Sequence, residues 1–397
     1  MNDTELRAAL VEQLAGAGVL RSERWRRAFE RVPRHVFVPR VFLDRDADGW
    51  FVPLDGDRPE CREEWLRTVY SDDTLFTQLD GDEQAWKTAL AERRVTGVPT
   101  SSSSQPALMA GMLEALDIEG GRRVLEIGTG TGYNAALMCE ALGDEHVVSV
   151  DIDPALVDSA KERLASLGYR PTLAVVDGGD GFADGAPYDR IIATCSLPAV
   201  PPAWVAQTHR DGRILVNLHR PLGGGALVLL TATDAEHASG RFLPDYGGFM
   251  PTRTYATPAA LDLYEGVDHA DGTTRPTHVT FDALDGPFGM FAALRVPAQR
   301  LGIVPDDGPE QGWLLGTDGS WAYQTVTEEG VSVVRQSGPI DLWALLENAH
   351  AEWDQLGRPP RQAFGLTVGP EGHSLWLDSP DSGHVWDLGD IAACGDW

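Results

Sequence analysis

The sequence predicts an α/β protein, a parallel sheet with helices on both faces, followed by a separate α+β segment. Three observations lead there. Val124-Leu-Glu-Ile127 reads as a strand buried on both faces that runs into Gly128, Gly130 and Gly132 and then into an apolar helix from Tyr133. Strands at 146–151, 172–176 and 186–193 follow at the spacing of repeated βα units. Beyond residue 231 this alternation gives way to short apolar or alternating runs bounded by Gly and Asp.

In chain order, residues 4–15 and 22–31 read as amphipathic helices with Ser/Thr starts, the second ended by the prolines of Val32-Pro-Arg-His-Val-Phe-Val-Pro39. Residues 41–98 are acidic, carry aromatics and turn formers, and show no clean period before 83–92. They read as a solvated insertion or as a lid or wall of a site. Pro99-Thr-Ser-Ser-Ser-Ser-Gln-Pro106 opens a helix running to Leu116, and serines in that place ordinarily serve as a linker or an N-cap. Asp153, followed by Pro154, fits the N-cap of a helix through Leu167. That leaves Asp151, 19 residues after Gly132, to accept hydrogen bonds from a ligand's hydroxyls. Asp177-Gly-Gly-Asp-Gly181 reads as a turn. In the last segment, 278–281, 288–296, 312–326 and 331–335 read as strands, and Leu342, Leu345, Leu346, Ala349, Trp353 and Leu356 share one face of a helix. Seven of the 12 tryptophans fall there and are expected mostly as core.

Composition narrows the function. A formal charge of −28 argues against a general nucleic-acid or anionic-membrane binder, since phosphates would be repelled over the whole surface. No apolar run approaches the roughly 20 residues of a membrane span, and Met-Asn-Asp-Thr-Glu-Leu-Arg lacks a basic-then-apolar leader, so a cytoplasmic enzyme is expected. Cys61, Cys139, Cys195 and Cys394 have no metal-ligand spacing and read as reduced thiols; no metal is expected. Ten histidines sit in no triad-like motif, which leaves nucleophilic hydrolysis unsupported.

The glycine spacing bears on the cofactor. A dinucleotide fingerprint is G-x-G-x-x-G, whereas this stretch is Glu126-Ile-Gly-Thr-Gly-Thr-Gly, whose acid would repel a pyrophosphate and suits a cationic or zwitterionic ligand. An ordinary glycine-rich turn is the alternative. The pattern resembles the first motif of S-adenosylmethionine-dependent methyltransferases. Together with V-P-R-x-x-F-V-P at 32–39, the motifs resemble, in order, the protein-L-isoaspartate O-methyltransferase family over roughly residues 20–231, the acidic insertion excepted. The resemblance implies a Rossmann-like class I methyltransferase sheet and S-adenosyl-L-methionine as cofactor. Glu126, Gly128, Thr129, Gly130, Gly132, Tyr133, Asp151, Asp180 and Gly181 would lie on the cofactor side. The family's T-I-S-x-P motif falls on Ser102, Ser103, Ser104, Gln105 and Pro106. Ser104 matches the serine between cofactor and substrate, and Ser102 and Ser103 stand where the family has threonine and isoleucine.

Three regions are therefore expected: 1–98, N-terminal helices and an insertion flanking the site; 99–231, the methyltransferase core; and 232–397, an accessory α+β domain outside the repair enzymes' usual extent. Because the departures fall on the acceptor side, the resemblance extends to an actinobacterial branch that methylates an Asp of a ribosomally made precursor peptide (lanthipeptide, lasso peptide or graspetide), leading to aspartimide or isoaspartate. The alternatives are repair of isoaspartyl proteins, a small-molecule carboxyl methyltransferase, and a non-catalytic peptide-binding protein on the same fold.

Overall fold

The computed structural model describes residues 2–44, 49–255, 260–267, 272–305 and 309–388. Cys394 and Trp397 lie outside them. The chain forms two compact units: Met1–Cys195 with Pro201–Val216 and Leu229–His237, and Ser196–Val200 with Asn217–Val228 and Ala238–Trp397.

The first unit opens with helices α1 (Asp3–Gly16), α2 (Glu23–Arg31) and the short α3 (Arg34–Phe37). Ser22 caps α2 as expected, but α1 starts one residue before Thr4 and is capped by Asn2, in a capping box with Glu5. The acidic segment then forms a sheet of strand order β2-β1-β3-β4. Its strands are β1 (Arg40–Asp44), β2 (Phe51–Asp55), β3 (Leu75–Leu79) and β4 (Pro99–Ser103), and helices α4 (Arg62–Val69) and α5 (Gln84–Glu92) belong to the same segment. Phe42, Phe51, Leu79, Trp86, Ala89 and Val95 make a core of their own, with the Trp86 ring edge-on to Phe42 at 5.1 Å. A solvated insertion is thus excluded. Its alternation is hard to read because the strands have five residues each and the β3–β4 register slips on either side of Gln78.

The serine run is likewise neither linker nor N-cap. Ser101, Ser102 and Ser103 lie in β4, opposite Gln78, Phe76 and Leu75. Helix α6 (Pro106–Leu116) follows its N-cap residue Gln105, which supplies no side-chain cap of its own.

The larger sheet comprises β5 (Val124–Ile127), β6 (Val147–Asp151), β7 (Thr172–Val175), β8 (Tyr188–Leu197), β9 (Thr208–Arg220) and β10 (Gly223–Ala232), with α7 (Tyr133–Leu142), α8 (Pro154–Ser166) and α9 (Pro202–Ala206) between strands. Its order is β10-β9-β8-β5-β6-β7, and the β5–β6, β6–β7 and β5–β8 pairs are parallel. The chain starts at β5, moves outward through β6 and β7, and returns to β8 on the other side of β5. That reversal opens a crevice at the carboxyl ends of β5 and β8, the place where sheets of this class bind ligands.

The second unit contains β11 (Ala238–Tyr246), α10 (Ala260–Glu265), β12 (Thr273–Pro276), α11 (Pro287–Ala293), β13 (Gln299–Ile303), β14 (Gln311–Leu315), β15 (Trp321–Val326), β16 (Ser332–Ser337), α12 (Leu342–Gln355), β17 (Phe364–Gly369), β18 (Gly372–Leu377) and β19 (Val385–Asp387). Strands β12-β16-β15-β14-β13 form an antiparallel sheet, and β11, β17, β18 and β19 pair antiparallel in that order. Two expected strands are corrected. The strand expected at 278–281 lies earlier, at β12, and 288–296 is mostly the helix α11. Pro287 starts that helix, and Phe288 through Ala293 are buried all round, so periodicity carried no helical signal. Phe288 packs edge-on to His350 and tilted against Trp353 of α12, while Trp313, Trp321, Trp343 and Trp376 are buried as the core reading expected.

Candidate active site

Two of the three loop glycines are required by backbone and space together. Gly128 and Gly132 have φ of 98° and 87°, and a Cβ there would come within 2.8 Å of Thr194 Oγ1 and 3.0 Å of Ala160 Cβ. Thr194, near the end of β8, donates through Oγ1 to the Gly128 carbonyl at 2.7 Å, tying the loop to the crevice wall. Gly130, at φ 50°, donates its N–H to Asp151 Oδ2 at 2.8 Å.

The acids occupy different places. Asp151 ends β6, accepting from Gly130 N and, at 3.1 Å, from Asp153 N, so its carboxylate sits beside the glycine loop. Asp153 caps α8, as expected, through bonds from Ala155 and Leu156 N. Asp180 is exposed in a 3-10 turn, Gly178–Asp180, whose fold Asp177 fixes by accepting from Gly179 N. Gly181, at φ 64°, leaves room for Gln207, whose amide bridges Asp180 O and Phe182 N.

Glu126 departs from the expectation. It has no accessible surface, and its oxygens accept from Asn134 Nδ2 at 2.7 Å and Ser149 Oγ at 2.6 Å. Burial raises its pKa to about 7 against the pull of those two donors. It offers a ligand's cation no accessible oxygen and instead braces the strand beneath the loop. Thr129 is buried against the same Ser149 hydroxyl at 2.7 Å. Tyr133 is buried too, its ring packed on Phe29 and Phe37 and under the Arg34 guanidinium, so it joins the loop to the N-terminal helices.

The serine strand reaches the glycine loop: a Cβ on Gly130 would lie 3.6 Å from the Ser102 carbonyl and 3.8 Å from Ser101 Oγ. Ser103 is buried, its hydroxyl accepting from Arg34 Nε at 3.2 Å. Ser102 and Ser104 are partly exposed, and their hydroxyls have no partner among the described residues. The fold therefore brings the serine strand, at Ser101 and Ser102, to Gly130, whose N–H is bonded to Asp151.

Sequence reasoning assigned no role to several residues here. Arg34 lies inside the V-P-R motif, which is a signal of a kind; Gln78 and Asp72 lie in the insertion, where no pattern marks them. Gln78 Nε2 donates to Asp153 Oδ2 at 3.0 Å, and Asp72 Oδ1 accepts from Ala107 N at 2.7 Å, capping α6. Ile152, 43% exposed next to Asp151, offers an apolar surface at the crevice.

Comparison with known proteins places this arrangement. The family model described as protein-L-isoaspartate (D-aspartate) O-methyltransferase matches residues 77–232. The protein-L-isoaspartate O-methyltransferase of Methanothermobacter thermautotrophicus is 34% identical over 239 residues, 60% of this chain and 90% of its own. The chain belongs to the protein-L-isoaspartate O-methyltransferase family. It is, accordingly, an S-adenosylmethionine-dependent methyltransferase. The enzyme of that name from Ignicoccus hospitalis is 38% identical over 143 residues, 36% of this chain and 68% of its own. A solved protein-L-isoaspartate O-methyltransferase shares the fold with a TM-score of 0.51 at 22% identity, aligned over 94% of this chain and 100% of its own. The fold likeness to that structure thus runs well beyond residue 231.

Proposed function

We propose that the chain methylates a side-chain carboxylate of an isoaspartyl or aspartyl residue in a peptide or protein, with Ser102–Ser104 on the acceptor side and the glycine loop and Asp151 on the cofactor side. The observation that carries this reading is the approach of the serine strand to Gly130. It brings the Ser102 carbonyl and the Ser101 hydroxyl to a loop built for close backbone approach, and the same run carries partly exposed serines at 102 and 104.

The residues present fit the cofactor. The crevice has an acceptor carboxylate at Asp151 for ribose hydroxyls, apolar surface at Ile152 and an exposed acid at Asp180, with glycine amides between them. S-adenosylmethionine, when bound, supplies a methyl group activated on a sulfonium. A carboxylate acceptor is ionised at neutral pH, so no strong general base is needed. What the chain must do is hold the acceptor oxygen in line and keep water away from it. A hydrogen bond donated by the Ser104 or Ser102 hydroxyl orients the carboxylate while drawing off a little of its nucleophilicity, so its role is orientation. Glu126 acts from beneath, by fixing Asn134 and Ser149.

Among peptide substrates, general isoaspartyl repair is the first reading, since relatives aligned over most of their length are named protein-L-isoaspartate O-methyltransferases. One observation favours the second, a dedicated precursor peptide whose Asp is activated toward aspartimide. Where the family has threonine and isoleucine this chain has Ser102 and Ser103, and the wall facing them comes from the inserted sheet. Mass spectrometry after incubation with cofactor and either a generic L-isoaspartyl peptide or a modified precursor separates the two. Methylation of the generic peptide is expected; turnover of the precursor alone would replace repair with the dedicated reading, and methylation of neither would remove both.

A further inference from the structure

We propose that Arg34 is a positioning residue for methyl transfer, fixing the serine run on the acceptor side by fastening it to the acidic insertion. The inference rests on the functional reading above.

Every donor of this side chain is spent on the protein. Nε donates to Ser103 Oγ at 3.2 Å, Nη1 to the carbonyls of Val69 and Ser71 at 2.9 Å each, and Nη2 to the carbonyls of Asp73, Ser103 and Ser104 at 3.0, 3.3 and 3.1 Å. A guanidinium has five N–H groups, and these six acceptors use all of them, so none is left for a ligand. Nor is the charge held by a bonded carboxylate: its hydrogen-bonded shell is five carbonyls and one hydroxyl. Burial lowers its pKa to about 10, which leaves it charged at neutral pH. Burying a cation is costly, and what the arrangement obtains is geometry. The planar fork joins two segments some 30 residues apart, 69–73 and 103–104.

Asp72 sits inside the first of those segments and completes the clamp from the other end. Its Oδ1 accepts from Ala107 N at 2.7 Å, and Oδ2 from Gln105 Nε2 at 3.3 Å. Ser104 therefore lies between two tethers, with Arg34 on its carbonyl and Asp72 on the helix that starts just after it. Its backbone is fixed and its hydroxyl is free among the described residues. Displacement of a reacting group by about 1 Å costs on the order of 100-fold in rate, so a clamp of this kind acts on turnover without touching substrate.

The test uses the full chain and the variants Arg34→Lys, which keeps the charge but loses the fork, and Asp72→Ala, at a partly exposed site whose loss leaves the core intact. Thermal unfolding reports folding, calorimetry reports S-adenosylmethionine affinity, and steady-state methylation of an L-isoaspartyl peptide separates kcat from KM. The expected result is cofactor affinity within about twofold of the parent and kcat lower by about tenfold or more in both variants. Folded variants with parental kcat would overturn the proposal. So would a fall in cofactor affinity matching the fall in kcat, which is the mark of a merely structural role. If Arg34→Lys does not fold, Asp72→Ala decides alone. An inactive parent chain would instead count against the function itself, a result distinct from active parent and equally active variants.

Discussion

The acids of the glycine loop show how much one residue's role depends on its surroundings. Glu126 and Asp151 end or nearly end adjacent parallel strands, yet one is sealed beneath the loop and the other flanks it. The difference has a pH signature. Burial raises Glu126 from 4.5 to about 7, so the folded state holds a proton there that the unfolded chain releases. The stability from this group is fully present below pH of about 4.5 and is lost as pH rises through about 7. At about 1.4 kcal/mol per pH unit, the ionised form costs folding about 3 kcal/mol at pH 8. Glu126→Gln keeps an acceptor for Asn134 and removes the charge. It is expected to melt several degrees above the parent at pH 8 and level with it near pH 4, as followed by circular dichroism. A constant offset across that range would mean that the carboxylate is ionised throughout.

At the scale of elements, the inserted sheet and the serine strand are one object. β4 has no edge of apolar alternation to announce it; it is a strand because β3 pairs with it, and β3 is held by the core around Trp86. Trp86 packs on Phe42 at 5.1 Å and beneath the Arg40 guanidinium at 5.1 Å. Trp86→Ala is expected to destabilise the chain by about 3–5 kcal/mol in denaturant titrations. A change below about 1 kcal/mol would mean that the insertion contributes little to the cooperative core. The same dependence on partners explains α11. A run buried on all sides has no polar face to set its period, so only its packing on α12 distinguishes helix from strand. By contrast β5, α7 and β6 were legible because their glycines, apolar strands and terminal acid are local signals.

For the molecule as a whole, the net charge of −28 bears on encounter more than on chemistry. Methylation of a cationic isoaspartyl peptide is expected to lose kcat/KM as salt is raised from about 0.01 M to about 0.15 M, where the screening length shrinks from about 30 Å to about 8 Å. A matched anionic peptide should gain. Steady-state rates on such a pair check this, and parallel behaviour of the two would rule out steering by the protein's field.

The sequence by itself determined the glycine loop, its entry strand, Asp151 at the end of the next strand and the order of the motifs. These depend on backbone sterics and on neighbours a few residues away. Only the tertiary structure decided that Glu126 is buried, that Tyr133 faces the N-terminal helices, that Ser101, Ser102 and Ser103 lie in a strand reaching Gly130, and that Arg34 and Asp72 clamp the end of that strand. Each of these depends on contacts between residues tens of positions apart, where burial and hydrogen-bond partners are set by the fold and leave no period in the chain.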